Sequence, residues 1–327
     1  MKALVYVGPE GLEYRDMADP VPGEGEALIR VESVGICGSD MHAWLGHDER
    51  RPAPLVLGHE AAGVVLSGAM QGQRVTVNPL VTCGICPACR SGRDNLCASR
   101  QIISMPPREG AFAGLLAMPE RNLVPLPDHV TTHQAALAEP IACGWHAVRL
   151  GRAILGDESH RALVLGGGAI GLGAALSLAA QGIKDVTMIE PHAARRACLS
   201  LRCDQTVIPP DALEPTEQFD IVVDGVGFEA TRAQASAHAR PGGVIVHIGL
   251  GQSTGGLDIR RMTLQEITFI GTYTYTSRDF RDCAQAMFDG RLGALDWIEE
   301  RALSEGAGAF ADIRAGRVTS PKIILVP

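Results

Sequence analysis

Four cysteines within one short segment constrain this chain more than any other feature of its sequence. Cys83, Cys86, Cys89 and Cys97 are separated by gaps of two, two and seven residues. Thiolates at this spacing can surround one tetrahedral Zn²⁺, because Zn–S bonds of about 2.3 Å need ligands on tight turns. CxxC pairs also occur as buried or redox-active cysteines, but four thiols in one run favour a metal. A closed set of four sulfurs predicts a structural zinc site in residues 83–97.

A second group of candidate metal ligands lies upstream. Cys37 is followed by Ser39 and His42, and His59 and Glu60 are adjacent. A catalytic zinc has three protein ligands and one open position, and a thiolate, an imidazole and a carboxylate form a suitable set. Ser39 and His42 are candidate proton-transfer residues, because histidine titrates near neutral pH. The sequence therefore predicts a second, catalytic zinc, with Ser39, His42 and Glu60 as catalytic residues.

A glycine-rich turn lies downstream, after the apolar run Leu163–Leu165. Its G-x-G-x-x-G pattern follows a predicted strand and opens a predicted helix, whose N-terminus can hold a pyrophosphate. Alone, such a pattern is weak evidence and is often only a packed turn. The predicted coenzyme contacts in it are Gly166, Gly168, Ala169, Ile170 and Gly171.

Glu190 bears on the choice of coenzyme. It ends the next predicted strand, nineteen residues after Gly171, where a carboxylate can bind the ribose of NAD. The same carboxylate would repel the 2′-phosphate of NADP, so NAD is expected. Arg195 and Arg196 are nearby, and a guanidinium could accept that phosphate; they could equally form a solvated helix face.

Composition restricts the partners and the compartment. The net charge of −8 argues against a nucleic-acid partner, whose phosphates require a basic surface. Nine cysteines, clustered at metal spacing and odd in number, fit a reducing cytoplasm. The first residues join a short apolar run to charge, so no signal peptide is expected. The uncharged stretch from Ala162 to Ile183 is long enough to span a bilayer, but its glycines favour a tight turn and a packed helix.

The pattern of the chain changes near residue 140. Before it, short β-rich runs alternate with Gly and Pro clusters; after it, strand-like and helical segments alternate, as in a doubly wound parallel sheet. The predicted strands of this second part are Leu163–Leu165, Val186–Ile189, Thr206–Ile208, Phe219–Val223, Val244–Ile248 and Ile267–Ile270. The final apolar run, Lys322–Val326, could extend this sheet or return to the first domain.

These motifs together resemble those of the medium-chain zinc-dependent alcohol dehydrogenases, most closely the polyol (sorbitol-like) and threonine dehydrogenase branch. The motifs that carry the resemblance, in the family's order, are Gly35-Ile-Cys37-Gly-Ser39-Asp40, Gly58-His59-Glu60, the four-cysteine lobe, Glu139-Pro140 and the glycine turn. The resemblance implies an α/β protein with a GroES-like catalytic domain (1–140 and 286–327) and a Rossmann NAD-binding domain (141–285).

The resemblance also implies roles for individual residues. Cys37 and His59 are expected to bind the catalytic zinc, with Glu60, Glu139 or a water held by one of them as the third ligand. Cys143, near Glu139, is interpreted as a packed helix residue. Further coenzyme contacts are expected at Arg195, Ile248 and Leu250.

The expected activity is hydride transfer between NAD and a secondary alcohol, such as a polyol or a sugar-derived alcohol, with Ser39 accepting the hydroxyl proton and His42 passing it to solvent through the coenzyme ribose. Two alternatives remain open: a zinc-free enone or quinone reductase on the same scaffold, and a non-catalytic binding protein that retains the fold. By analogy, pairing of the last Rossmann strands at the sheet edge predicts a homodimer or homotetramer.

Overall fold

The computed structural model of the protein describes residues 1–155 and 160–327. Its contacts divide the chain into two compact units. The first comprises Met1–Glu139, Thr276–Phe288 and Ile298–Pro327, and the second comprises Pro140–Tyr275 and Asp289–Trp297. The sequence-based ranges gave one C-terminal return at residue 286. In the structure the chain enters the first unit earlier, at Thr276, and revisits the second unit before its final return.

The strands and helices are numbered in chain order. The strands are β1 (Lys2–Gly8), β2 (Gly11–Asp16), β3 (Glu26–Gly35), β4 (Leu55–Val56), β5 (Glu60–Val65), β6 (Arg74–Val77), β7 (Leu80–Val81), β8 (Gln101–Ile102), β9 (Leu115–Pro119), β10 (Leu123–Pro125), β11 (Arg161–Leu165), β12 (Asp185–Ile189), β13 (Thr206–Ile208), β14 (Phe219–Asp224), β15 (Ala239–His247), β16 (Thr268–Gly271), β17 (Ile298–Ala302) and β18 (Lys322–Val326). The helices are α1 (Gly38–Trp44), α2 (Pro87–Arg90), α3 (Thr132–Ala136), α4 (Ala138–Leu155), α5 (Ala169–Ala180), α6 (Ala193–Ser200), α7 (Glu229–His238), α8 (Ile259–Leu264), α9 (Ser277–Phe288) and α10 (Gly306–Arg314).

The first unit is built on a seven-stranded sheet with the order β10-β6-β5-β3-β18-β17, in which β9 also pairs with β3. Side chains at the start of β3 alternate between buried and more exposed positions, as expected of a strand with one face on a core. Aromatic rings of Trp44 and Phe112 meet Phe310 edge-on, with centroids 5.7 and 6.0 Å apart. The C-terminal strand β18 lies between β17 and β3, so the final apolar run returns to this unit.

The second unit contains a six-stranded, fully parallel sheet with the order β13-β12-β11-β14-β15-β16. This doubly wound order confirms the predicted fold class, and all six predicted strands are present. The strand order reverses between β11 and β14, and such a switch point opens a crevice for ligands at the carboxyl ends of the strands. In β11 the residues after Arg161 are all buried, because a parallel sheet is covered on both faces.

The run from Ala162 to Ile183 forms β11, the glycine turn and α5. Within the described part of the chain, no helix has the length and apolar character needed to cross a bilayer.

Candidate functional site

The four cysteines of residues 83–97 converge around one point. Their sulfurs are 3.5 Å apart for Cys86 and Cys89, 3.5 Å for Cys83 and Cys97, and 3.9 Å for Cys83 and Cys89. Zn–S bonds of about 2.3 Å in a tetrahedron place sulfurs about 3.8 Å apart. All four thiols are free. The set therefore fits a structural zinc ion, with α2 supplying the turn that brings Cys86 and Cys89 together.

Backbone amides around these sulfurs favour the thiolate form. Hydrogen bonds from the N–H groups of Ile85 and Cys86, together with Cys97, lower the pKa of Cys83 to about 6. A metal-binding thiolate is stabilised by the same donors. The lobe is also fastened to α9, because the Asp94 carboxylate accepts hydrogen bonds from both the backbone N–H and the hydroxyl of Ser277.

The second predicted ligand group also converges, in the first unit. One ligand atom each from Cys37, His59 and Glu60 lies within 4.8 Å of the others. Cys37 precedes α1, and its backbone N–H donates to Asp40 at 3.0 Å. Gly58 fixes the approach to His59, because its φ is +88° and a Cβ there would meet the ring of Phe112.

Glu60 carries an unsatisfied buried oxygen. The residue is fully buried; its Oε1 accepts a hydrogen bond from Lys322 Nζ at 2.6 Å, whereas its Oε2 has no hydrogen-bond partner among the described residues. A side chain at Gly35, the residue paired with Glu60 across β3 and β5, would collide with that oxygen. Orphaned buried carboxylate oxygens are rare because they are costly. The free oxygen beside a thiol and an imidazole therefore fits a metal ligand.

Lys322 is a site residue that the sequence analysis missed. It begins β18, is buried, and also donates to the Ile36 carbonyl at 2.9 Å. Burial lowers the pKa of a lysine, but here the negative charges of Glu60, Cys37 and Glu139 outweigh burial and raise the pKa of Lys322. A lysine opening the otherwise apolar run Lys322–Val326 was the available signal, since buried lysines are rare unless paired.

His59 is held from behind by polar groups. Its Nδ1 lies 3.4 Å from Asp40 Oδ1 and 3.4 Å from the hydroxyl of Ser104, which has a positive φ of 69°. Burial opposes a charged imidazole, but Asp40 and Cys37 outweigh burial and raise the pKa of His59 well above its ordinary value. A carboxylate behind a ligating imidazole fixes its orientation, as in many zinc sites.

Arg51 connects Ser104, which lies beside His59, to Ser39 on α1. The guanidinium is buried and donates to the backbone carbonyl of Ser104 and to that of Ser39, each at 3.0 Å, and to Asp48 at 3.0 Å. The predicted relay residues lie on α1, where Ser39 is half-buried and His42 is exposed. Sequence reasoning did not identify Arg51 or Ser104.

Glu139, the alternative third ligand, is buried in the first turn of α4. Among the described residues it is not a member of the converging group of Cys37, His59 and Glu60. Its charge is nevertheless close enough to raise the pKa of Lys322. Cys143 lies one turn further along α4 and is half-buried.

The glycine turn of the second unit connects β11 to α5. Gly166 has φ of +96°, and Gly168 forms the N-cap of α5, with Ala169 and Ile170 in its first turn. Outside its own helix and its chain neighbours, no described atom lies within 4 Å of the position that a Cβ of Gly168 would occupy, so this position at the start of the helix is open. A Cβ on Gly171 would collide with the Gly166 carbonyl. This arrangement fits a pyrophosphate at the helix N-terminus.

Glu190 lies directly after β12 and faces this turn. Its Oε2 accepts the Gly167 N–H at 2.9 Å, and its Oε1 accepts the His192 N–H at 2.7 Å. Arg195 Nη1 is 3.9 Å from Oε2, and Arg196 donates to the Glu190 carbonyl at 2.9 Å. The carboxylate is thus oriented at the turn, with one backbone N–H on each of its oxygens.

The other predicted coenzyme contacts follow β15 at the same edge of the sheet. Ile248 is half-buried, Leu250 is exposed, and the Ile248 N–H donates to the Asp224 carbonyl at 3.0 Å.

Comparisons with known proteins find matching family profiles in each of the two units. Residues 23–128 match the profile of the alcohol dehydrogenase GroES-like domain, and residues 169–289 match that of zinc-binding dehydrogenases. L-galactonate-5-dehydrogenase of Escherichia coli (strain K12) is 33% identical over 313 residues, covering 90% of this chain and 89% of that protein. Sorbitol dehydrogenase of Macaca fascicularis is 33% identical over 297 residues, covering 84% and 81% respectively.

A solved structure shares the fold over the whole chain. Acetophenone reductase from Geotrichum candidum NBRC 4597, solved in complex with NAD, has a TM-score of 0.87 and 25% identity, covering 100% of this chain and 97% of that one. The chain belongs to the medium-chain zinc-dependent alcohol dehydrogenase family, in its polyol branch. It is an enzyme, an NAD(P)-dependent alcohol dehydrogenase.

Proposed function

We propose that the protein transfers a hydride between NAD and a secondary hydroxyl of an open-chain polyol or sugar acid, with zinc held by Cys37, His59 and Glu60. The observation that carries the proposal is the convergence of these three ligands, with one oxygen of Glu60 buried and unpartnered. A donor set of sulfur, nitrogen and oxygen is suited to zinc.

The substrate class is inferred from the relatives. One acts on L-galactonate, a sugar acid, and another on sorbitol, a sugar alcohol, at about equal identity to this chain. Both substrates are open chains with a hydroxyl on most carbons. The proposed substrate class therefore includes both neutral sugar alcohols and anionic sugar acids.

The chain's own residues divide the chemistry as follows. Zinc, when bound, acts as a Lewis acid that makes a hydroxyl more acidic. Ser39 accepts the hydroxyl proton, and His42, which is exposed, passes it to solvent. Asp40 and Ser104 orient His59, and Lys322 holds Oε1 of Glu60 while leaving Oε2 free. Glu139 adds negative charge near the ligand group.

The coenzyme is proposed to be NAD, bound at the N-terminus of α5 with Glu190 on the ribose. The orientation of Glu190 at the turn supports this assignment, because a carboxylate there repels a 2′-phosphate. Arg195 lies close to Glu190 and is proposed as a coenzyme contact. Ile248 and Leu250 complete the proposed contacts.

We further propose that the enzyme works in the cytoplasm as a homodimer or homotetramer. Free thiols at metal-binding spacing favour a reducing compartment. β16 ends the parallel sheet in the described structure, and an edge strand can pair with that of a second copy.

The test uses Cys37→Ser, with Cys143→Ser as the matched control. We expect Cys37→Ser to bind one zinc fewer per chain and to lose alcohol-dependent NADH formation, whereas Cys143→Ser keeps both. Substrates are compared across galactonate, idonate, sorbitol and xylitol by absorbance of NADH. Full activity of Cys37→Ser with one zinc fewer would instead support a zinc-free reductase on this scaffold.

A further inference from the structure

Two loops at the carboxyl edge of the parallel sheet are joined backbone to backbone. Loop A, residues 225–228, follows β14, and loop B, residues 248–257, follows β15. The N–H of Gln252 donates to the Gly227 carbonyl at 2.8 Å. A Cβ on either Gly227 or Gly249 would collide with the backbone of the other loop. Glycine at both positions is therefore required for this close approach.

A fully buried carboxylate organises loop A. Asp224 ends β14, and its Oδ1 accepts the N–H groups of Val226 and Gly227 at 3.0 and 2.9 Å. Its Oδ2 accepts the Thr231 hydroxyl at 3.1 Å and lies 3.1 Å from His247 Nδ1. Burial alone would raise the pKa of Asp224, but these donors outweigh burial and lower it. The carboxylate thus stays charged and gathers donors from loop A, α7 and β15.

A buried guanidinium joins loop A to loop B. Arg232 Nη1 donates to the carbonyls of Gly227 and Gln252 at 2.8 and 2.9 Å. Arg232 Nε donates to the Gly255 carbonyl at 2.6 Å, and Arg232 Nη2 donates to the Thr254 carbonyl. The Asp224 carboxylate therefore binds backbone donors of loop A, the Asp224 backbone carbonyl accepts the N–H groups of Ile248 and Gly249 in loop B, and Arg232 binds backbone acceptors of both loops.

Loop A also touches the glycine turn. A Cβ on Gly166 would collide with the side chain of Val226, and a Cβ on Gly225 would lie 3.1 Å from the backbone nitrogen of Gly171. The two loops and the turn thus form one continuous surface at the end of the sheet where ligands bind in this fold.

We propose that Asp224 and Arg232 are positioning residues that hold loops A and B as a preformed wall of the dinucleotide site. The inference rests on the proposed function in that the ligand of this wall is the coenzyme. Binding to preordered loops avoids the entropy cost of ordering them, so the two residues lower the dissociation constant without touching the ligand. Removal of either one weakens coenzyme binding and leaves the chemistry of the metal site unaltered.

The test measures NADH binding to the zinc-loaded full chain by fluorescence titration. We expect Arg232→Met to raise the dissociation constant for NADH by on the order of tenfold, and Asp224→Asn to raise it in the same direction. The KM for NAD should rise in parallel, and Arg232→Lys should give an intermediate value, because an ammonium can reach only some of the carbonyls. Hydrogen exchange at the Gln252 amide should be faster in Arg232→Met.

The matched control is Asp220→Asn, at the opposite end of β14. Asp220 forms an ion pair with Arg240 at the amino edge of the sheet. Its loss should lower thermal stability while leaving the NADH dissociation constant at the wild-type value. A dissociation constant in Arg232→Met equal to that of wild type would overturn the inference, and if that variant does not fold, the same result for Arg232→Lys would do so. Failure of the wild type to bind NADH would instead refute the proposed function.

Discussion

Lys322 offers the sharpest test of the metal site. It is a buried cation paired with Glu60, and the second carboxylate oxygen of Glu60 accepts no hydrogen bond from the described residues. Its Nζ is 2.6 Å from Glu60 Oε1, and both side chains are almost completely buried. Lys322→Met keeps the apolar stem and removes the charge, which leaves the Glu60 carboxylate without a partner on either oxygen in the metal-free protein. Removing one member of a buried ion pair costs about 3–5 kcal/mol.

The cost should depend on the metal. Zinc on Glu60 Oε2 supplies compensating charge, so we expect the loss of unfolding free energy to be near 3–5 kcal/mol without metal and clearly smaller with zinc. In Lys322→Met/Glu60→Gln the buried charge is gone, and most of the stability should return. Lys2→Met, which breaks the exposed pair of Lys2 with Asp16, should cause no measurable change.

The assay is urea unfolding of each variant, with and without zinc, comparing the midpoints of the transition that reports on the first unit. The slope with denaturant should not change, so that a shift in midpoint reports stability. Equal losses with and without zinc would refute the idea that a metal on Glu60 Oε2 compensates for the missing charge of Lys322. An unstable double variant would show that the loss does not come from the uncompensated charge of Glu60, and would point to the lost hydrogen bond between Lys322 and the Ile36 carbonyl.

Three further outcomes follow from the geometry. Gly35→Ala places a methyl group against Glu60 Oε2, so one zinc per chain should be lost, as measured by metal analysis. Cys86→Ser should remove the structural zinc and make residues 83–97 sensitive to proteolysis. The pKa of Glu26 is lowered, because hydrogen bonds from the Gly23 N–H and Arg108 outweigh its burial. The ionised Glu26 therefore stabilises the fold above the pKa that it has in the unfolded chain. This stabilisation is lost as pH falls through the pKa of Glu26 in the folded protein. Glu26→Gln should flatten that acid-side loss in unfolding experiments run between neutral and acidic pH.

The strands of the second unit could be predicted from the sequence, because a local residue pattern defines them. The strand runs of the second unit were located correctly because parallel strands buried on both faces are continuous apolar runs bounded by turn residues. The main difference lies in β15, which begins at Ala239 and not at Val244. Its first residues include Pro241 and two glycines, which weaken any strand pattern, yet Ala239 pairs with Phe219 across a register shift.

Contacts between distant parts of the chain could not be predicted in this way. Lys322 is 262 residues from Glu60, and no periodicity or spacing connects them. Arg51 and Ser104 behind His59 are 53 residues apart and lie in irregular segments. By contrast, the four cysteines of residues 83–97 could be recognised, because metal ligands supplied by one short segment have a characteristic spacing in the sequence.

The buried charges of the first unit explain why a divalent cation fits this position. Cys37, Glu60 and Asp40 place negative or potentially negative groups around His59, and Lys322 contacts one oxygen of Glu60. Without metal, the raised pKa of His59 shows that the cluster attracts positive charge strongly enough to overcome burial. A proton can satisfy one pair of these groups only, whereas a divalent ion can meet sulfur, nitrogen and oxygen at once and carries two charges. A proton on His59 leaves Oε2 of Glu60 without a partner, whereas a bound metal ion would contact this oxygen. The group that contacts Oε2 in solution therefore shows whether the cluster holds a proton or a metal.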